Sequence, residues 1–194
     1  MTAVTQSVGN AGEPATGDAK DLDRTDRLAL AEVARLTLAT AEATAQLGAD
    51  LAMVARPGDV VALSGDLGAG KSTLARALIR ALAQDPGLEV PSPTYTLVQT
   101  YETDPPVAHF DIYRLGSGEE LGELGFADAA EAGVVLVEWP ERAAQVLEAA
   151  AIAIELSMTP DGGRLAVIAA TAEAKTRIER TLAIREFLAG ASLG

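Results

Sequence analysis

Gly65-Asp66-Leu67-Gly68-Ala69-Gly70-Lys71-Ser72-Thr73 is the stretch whose residue types and spacing can do chemistry, for it fits G-x-x-x-x-G-K-[ST]. Glycines at these positions let successive backbone N–H groups turn inward around phosphate oxygens. Lys71 can reach terminal phosphates, and the Ser72 hydroxyl can ligate Mg²⁺. Asp66, Leu67, Gly68, Ala69, Gly70, Lys71, Ser72 and Thr73 are therefore the nucleotide-binding candidates. A second stretch, Gly133-Val134-Val135-Leu136-Val137-Glu138-Trp139-Pro140, ends a run of four apolar residues in an acid. A strand buried on both faces reads this way. Ligands of open α/β sheets bind beyond the carboxyl ends of the strands, so Glu138 stands where an acid would meet a phosphate-bound Mg²⁺. Ser72 and Glu138 are the metal candidates.

Elements on either side must position these groups. Val60 to Leu63 is a short apolar run leading into the glycine loop, and Leu74-Ala75-Arg76-Ala77-Leu78-Ile79 continues it as a helix. Strand, glycine loop and helix in that order form the context a phosphate loop requires. Before it, Leu28 to Ala34 reads as a short helix and Arg35 to Leu38 as a strand. Thr40 is placed to cap a helix whose buried stripe is Ala43, Leu47, Leu51 and Val54. After Gln84-Asp85-Pro86-Gly87 breaks the loop helix, Pro91 and Pro93 hold Ser92 extended. Leu97 to Tyr101 and Val107 to Leu115 then form a hairpin about Asp104-Pro105-Pro106. Gly116 to Ala130 reads as one or two short acidic helices, Glu141 to Ala150 as another, and Ile152 to Leu156 as a strand. Pro160-Asp161-Gly162-Gly163 turns into a last strand, Arg164 to Ile168. A charged helix from Thr171 to Leu188 turns Ile178, Leu182 and Ile184 inward.

The expected fold is α/β: a three-layer phosphate-loop NTPase-like sheet, mostly parallel, with an antiparallel hairpin portion. Residues 1–27 read as a disordered tail, 28–170 as the nucleotide-binding domain and 171–194 as a helical extension. Hydrophobic content is 48% with only 4% aromatic, so Ala, Leu, Val and Ile build the core. A formal charge of -13 makes the chain a poor direct binder of a nucleic-acid backbone. There is no cysteine for disulfides or thiol catalysis, and a single histidine, His109, argues against zinc. No apolar run approaches a membrane span, and the expected location is the cytoplasm.

Taken together, the glycine loop, Ser92-Pro93-Thr94-Tyr95-Thr96-Leu97-Val98, His109-Phe110-Asp111-Ile112-Tyr113-Arg114-Leu115 and Val137-Glu138-Trp139-Pro140 resemble, in this order, the TsaE (formerly YjeE) family. The likeness runs from about Leu36 to about Ala170. It implies a small bacterial ATPase of tRNA threonylcarbamoyladenosine biosynthesis, using ATP and Mg²⁺. TsaB and TsaD would be its direct partners, with TsaC in the same pathway. Carbamoyl transfer would belong to TsaD, and ATP hydrolysis here would reset the complex. Carried over by position, Lys71 and Ser72 serve the phosphates and Mg²⁺, Glu138 is the metal-associated acid, Asp111 a catalytic acid and Arg164 a residue near the nucleotide. Ala39-Thr40-Ala41 departs from the family's usual Pro-Asp-Glu.

Asp111 or Glu138 would orient the attacking water, although Asp111 also suits a structural salt bridge. Ser92 and Thr94 read equally as a phosphate-sensing switch or a proline-stiffened connection. His109 reads as a structural histidine and Trp139 as a core residue, with stacking on a base or partner as its alternative. Arg114 and Arg142 read as surface ion-pair residues, with a transition-state role as the alternative. No Asn/Thr-Lys-x-Asp run for guanine is present, and Asn10 is the single asparagine, which favours ATP. Two other functions use the same residues: a small-molecule kinase, for which no arginine-rich lid is visible, and a nucleotide-gated binding module with negligible hydrolysis.

Overall fold

The computed structural model describes residues 29–191, with side-chain surroundings for 29–182. The tail expected over 1–27 lies outside the described residues, and the inward turn of Ile184 outside the described side chains. One seven-stranded sheet carries the chain: β1 (Ala31–Leu38), β2 (Val60–Ser64), β3 (Val98–Tyr101), β4 (Val107–Asp111), β5 (Val134–Glu138), β6 (Ile152–Met158) and β7 (Arg164–Ala170). Their order is β1-β7-β6-β2-β5-β4-β3. The central strands β6, β2, β5 and β4 are mutually parallel; β3 at one edge and β7 at the other run antiparallel to them, and the edge strand β1 pairs antiparallel with β7. The parallel centre is forced by the sequence, because β2, β4 and β5 are buried along their whole length except Ser64.

Helices cover both faces. Against one lie α1 (Ala41–Val54), α2 (Lys71–Ala83) and α6 (Ala172–Ala191), whose Leu47, Leu51, Leu74, Leu78 and Ile178 pack with Val61, Leu63, Leu136 and Ile154. Against the other lie α3 (Glu119–Glu123), α4 (Phe126–Ala132) and α5 (Ala144–Ala149), where Leu121, Phe126 and Val146 meet Val60, Ala62, Phe110 and Val137. Phe110 and Phe126 meet edge to face with centroids 5.9 Å apart. This is the three-layer α/β sandwich expected. Successive β2 residues feed the two cores alternately, as the period of two requires.

Thr40 caps α1 as expected, its Oγ1 accepting the Ala43 N–H at 3.1 Å. Gly48 lets α1 press onto α2, since a Cβ there would collide with the Leu74 carbonyl. Several expectations are corrected. The helix read over 28–34 is strand from Ala31 onward, paired antiparallel with β7. A register shift between Glu32 and Ala34 breaks the two-residue alternation that would have marked the strand. The second hairpin arm ends at Asp111, not Leu115, because the Asp111 carboxylate accepts the Tyr113 N–H at 3.2 Å and turns the chain out of the sheet. The first arm starts at Val98, since Leu97 takes φ 65° and donates its N–H to Pro93 O at 2.7 Å. The helix read over 141–150 divides into a 3₁₀ turn, Pro140–Arg142, and α5.

Helix α6, outside the core of the motif order, packs on the sheet through Ala174 and Ile178, at 0% and 3% exposure. Arg177 anchors it with two hydrogen bonds to the Asp59 carboxylate, at 2.8 and 2.9 Å, and another to Val54 O. The pairing with Asp59, partly opposed by burial, pushes the Arg177 pKa above its ordinary value. No helix among the described residues is long and apolar enough to cross a membrane.

Candidate functional site

Strands β2, β5 and β4 end side by side, and their carboxyl ends carry the site. Leu63 of β2 stands opposite Glu138 of β5, which stands opposite Asp111 of β4. The chain leaves β2 into the glycine loop, and α2 begins at Lys71 with Gly70 as its N-cap. Gly65 has φ 129°, and a Cβ there would run into the Leu156 carbonyl of β6, so no larger residue fits. Gly70 has φ 113° and supplies no side chain to the first turn of α2, in contrast to Thr40 at α1. The opening amides of α2 thus lack the side-chain acceptor that ends most helices. A phosphate would fill that role, aided by the helix dipole.

A cleft of about 190 Å³ opens between this loop and the ends of β4 and β5. Leu67, Gly68, Gly70, Lys71, Ser72 and Thr73 line one side of it, and Ser92, Thr94, Asp111, Glu138 and Trp139 the other. Leu67 at the loop tip is 88% exposed, whereas Ala69 is wholly buried and donates its N–H to Asp66 O at 3.1 Å. Lys71 is buried, and its Nζ donates to the Gly65 carbonyl at 2.5 Å and the Asp66 carbonyl at 3.0 Å. Nζ also sits 3.7 Å from the centre of the Trp139 ring. Burial pulls the Lys71 pKa below its ordinary value, opposed by the carboxylates of Glu138, Glu141, Asp111 and Asp66.

Ser72 Oγ donates to Glu138 Oε2 at 2.9 Å, joining residues 66 positions apart. One hydroxyl and one carboxylate are hard oxygen donors. Mg²⁺ bound with phosphates takes one or two such protein groups and completes its shell with water and phosphate oxygens. The residues present therefore fit both a phosphate and this cation. Asp111 organises the opposite wall: its Oδ2 accepts Thr94 Oγ1 at 2.8 Å and Ser92 Oγ at 3.2 Å. The two hydroxyls are themselves 2.9 Å apart. Asp111 thus binds the proline-flanked segment and, among the described residues, no arginine, which corrects the salt-bridge alternative.

Trp139 is corrected too. It is half-buried, packed against the edge of the core while also lining the cleft, and is held by a left-handed backbone of φ 66° directly after β5. Such a conformation costs a bulky residue about 1–3 kcal/mol and points to a constraint at the site. Its N–H donates to Leu63 O at 3.2 Å, and Tyr113 packs on it at 4.8 Å. The position just beyond a buried strand was the signal available in the sequence. Arg114 and Arg142 lie over the rings of Tyr95 and Tyr113, at 4.6 and 5.3 Å, where surface ion pairs were expected. Arg164, at the start of β7, reaches the loop beside Gly70, its Nε 3.8 Å from where a Cβ would stand. It does not line the cleft, and Nη1 is held by Gly162 O at 2.9 Å. Thr44 of α1, for which the sequence gives no signal, comes from the same quarter, its Cγ2 3.3 Å from where a Gly70 Cβ would stand. The contact joins distant parts of the chain, and no local pattern signals it.

Against this geometry the likeness to known proteins is decisive. A family model described as "Threonylcarbamoyl adenosine biosynthesis protein TsaE" matches residues 38–166. The chain belongs to the TsaE family. The tRNA threonylcarbamoyladenosine biosynthesis protein TsaE of Rickettsia felis is 38% identical over 134 residues, covering 69% of this chain and 78% of its own. The protein of the same description from Treponema pallidum is 34% identical over 131 residues, 67% of this chain and 96% of that one. The crystal structure of YdiB from Bacillus subtilis superposes with a TM-score of 0.64 at 24% identity, over 81% of this chain and 98% of that one. It shares the fold. The TsaE match takes in the glycine loop, Asp111, Glu138, Trp139 and Arg164, but stops short of α6.

Proposed function

We propose that this TsaE-family chain binds Mg²⁺·ATP in the cleft beyond β2, β5 and β4 and hydrolyses it. The hydrolysis would serve threonylcarbamoyladenosine formation on tRNA, acting on a TsaB–TsaD pair. The observation that carries the reading is the Ser72–Glu138 hydrogen bond beside the glycine loop. It joins the loop hydroxyl to a strand-end carboxylate, the pairing by which phosphate-loop enzymes hold a nucleotide-bound cation.

Each residue then has a task. The loop amides and Lys71 neutralise the terminal phosphates, with the lysine exchanging its present carbonyl partners for phosphate oxygens. Bound Mg²⁺ supplies further neutralisation of charge on the transferred group. Glu138 has both oxygens engaged, by Ser72 and by His109. Through Ser72 Glu138 is assigned to the cation, and Asp111, on the facing wall of the cleft, is assigned the attacking water, with Ser92 and Thr94 on the same carboxylate placed to respond to the terminal phosphate. Trp139, its ring against the Lys71 ammonium, closes the cleft from the side of β5. Arg164 approaches the nucleotide from the side of Gly70.

Phosphate release from ATP, measured for the chain alone and with purified TsaB and TsaD, tests the proposal. Release that rises on adding the partners is the expected result. ATP binding without release would favour a nucleotide-gated module, and phosphate transferred to a metabolite would favour a kinase.

A further inference from the structure

His109 has no part in the hydrolysis as described, yet it is only 1% exposed and its Nε2 lies 3.0 Å from Glu138 Oε1. The sheet sets up this contact. Alternate residues of a strand share a face, and β4 and β5 run parallel with His109 opposite Leu136 and Asp111 opposite Glu138. His109, Asp111 and Glu138 therefore stand on the face that carries α2, where Val107 and Leu136 join the core with Leu74 and Leu78.

A carboxylate only accepts, so Nε2 carries the hydrogen of this contact. Nδ1 is buried without a hydrogen-bond partner among the described residues. That arrangement carries a desolvation cost, and what it secures is one oxygen of Glu138. The division of labour is clear: Oε1 belongs to His109, and Oε2 takes the Ser72 hydroxyl hydrogen at 2.9 Å. With its hydrogen committed there, the Ser72 oxygen keeps its lone pairs for the cleft that it lines.

We propose that His109 is a positioning residue for the cation: it holds the Glu138 carboxylate so that the Ser72 oxygen is presented to Mg²⁺. The inference rests on the nucleotide reading above and extends it by a chain of contacts, His109 to Glu138 to Ser72. Partners of this kind, one bond removed from the metal, alter its affinity by about 10–100-fold when lost.

The test is calorimetric titration of the full chain with ADP, once in chelator and once with Mg²⁺, on three variants whose folding is checked by thermal melting. H109F fills the volume without a donor, H109N is too short to reach Glu138, and H109Q places an N–H near the position of Nε2. Affinity for metal-free ADP is expected to stay at the wild-type level in all three. The gain in affinity brought by Mg²⁺ falls about tenfold in H109F and H109N and returns in H109Q. Should H109F not fold, the comparison of H109N with H109Q carries the same decision. A full Mg²⁺ gain in H109N, or an equal loss in H109N and H109Q, overturns the proposal. Absence of ADP binding by the unaltered chain would instead refute the nucleotide reading, and this inference with it.

Discussion

Replacing Asp111 separates its structural work from its chemical work. The carboxylate is 4% exposed and accepts three hydrogen bonds, from Thr94 Oγ1, Ser92 Oγ and the Tyr113 N–H. In Asp111→Ala the two hydroxyls, 2.9 Å apart, can still bond each other. One hydroxyl hydrogen and one backbone N–H then lose their acceptor, at about 1–3 kcal/mol each. Removal of the like charge next to Glu138 offsets part of this, leaving a net loss of about 2 kcal/mol. For a domain of this size that lowers the melting temperature by about 4–8 °C. Asp111→Asn keeps one oxygen acceptor and should cost less than about 1 kcal/mol. Both variants should nevertheless lose about 100-fold or more in partner-stimulated phosphate release, since neither can orient the attacking water as a carboxylate does. ADP affinity by calorimetry should be unchanged. A melting temperature unaltered in Asp111→Ala would refute the hydrogen-bond cluster. Full turnover in Asp111→Asn would remove the carboxylate from the chemistry.

Two further predictions concern the scaffold. Arg177→Met deprives Asp59, 6% exposed, of its two guanidinium hydrogen bonds and should cost about 3 kcal/mol. A urea midpoint lowered without change in slope is the expected result, and an unchanged midpoint would show that α6 is not held there. The Tyr101 hydroxyl is buried with no hydrogen-bond partner among the described residues, and burial pushes its pKa above the ordinary value. The fold therefore favours the protonated phenol, a contribution complete below about pH 10 and lost as pH rises toward the folded-state pKa. Tyr101→Phe should flatten the fall in stability above about pH 10. At neutral pH it should be neutral or stabilising by about 1 kcal/mol. Urea unfolding at the two pH values decides, and a marked loss at neutral pH would contradict the account.

Legibility in the sequence followed how local each signal is. The glycine loop, the cap at Thr40 and the buried runs of β2 and β5 depend on near neighbours, and the structure has them where periodicity and turn chemistry put them. The second half of β1, Arg35 to Leu38, is legible, whereas its first half reads as helix because a register shift between Glu32 and Ala34 spoils the alternation and alanine-rich sequence suits a helix. The hairpin arms were drawn too long because Leu97 and Asp111 end them through backbone turns and a side-chain hydrogen bond. A lone tryptophan such as Trp139 reads as core from sequence because its burial is ordinary. Its left-handed backbone, which swings the ring over Lys71, has no mark in the local pattern.

The amino-acid order by itself determined that a phosphate cradle opens a helix, that a buried strand ends in an acid, and that α and β elements alternate. These are consequences of spacing along the chain, set by backbone freedom at glycine and by the periods of helix and strand. Tertiary structure alone decided which groups meet: Ser72 with Glu138 across 66 residues, His109 with Glu138 across 29, and Asp111 with Thr94 across 17. Those partnerships arise because strands distant in sequence lie side by side and finish at one edge of the sheet. A hydrogen bond depends on separation in space, which the packing of the sheet sets and spacing along the chain does not.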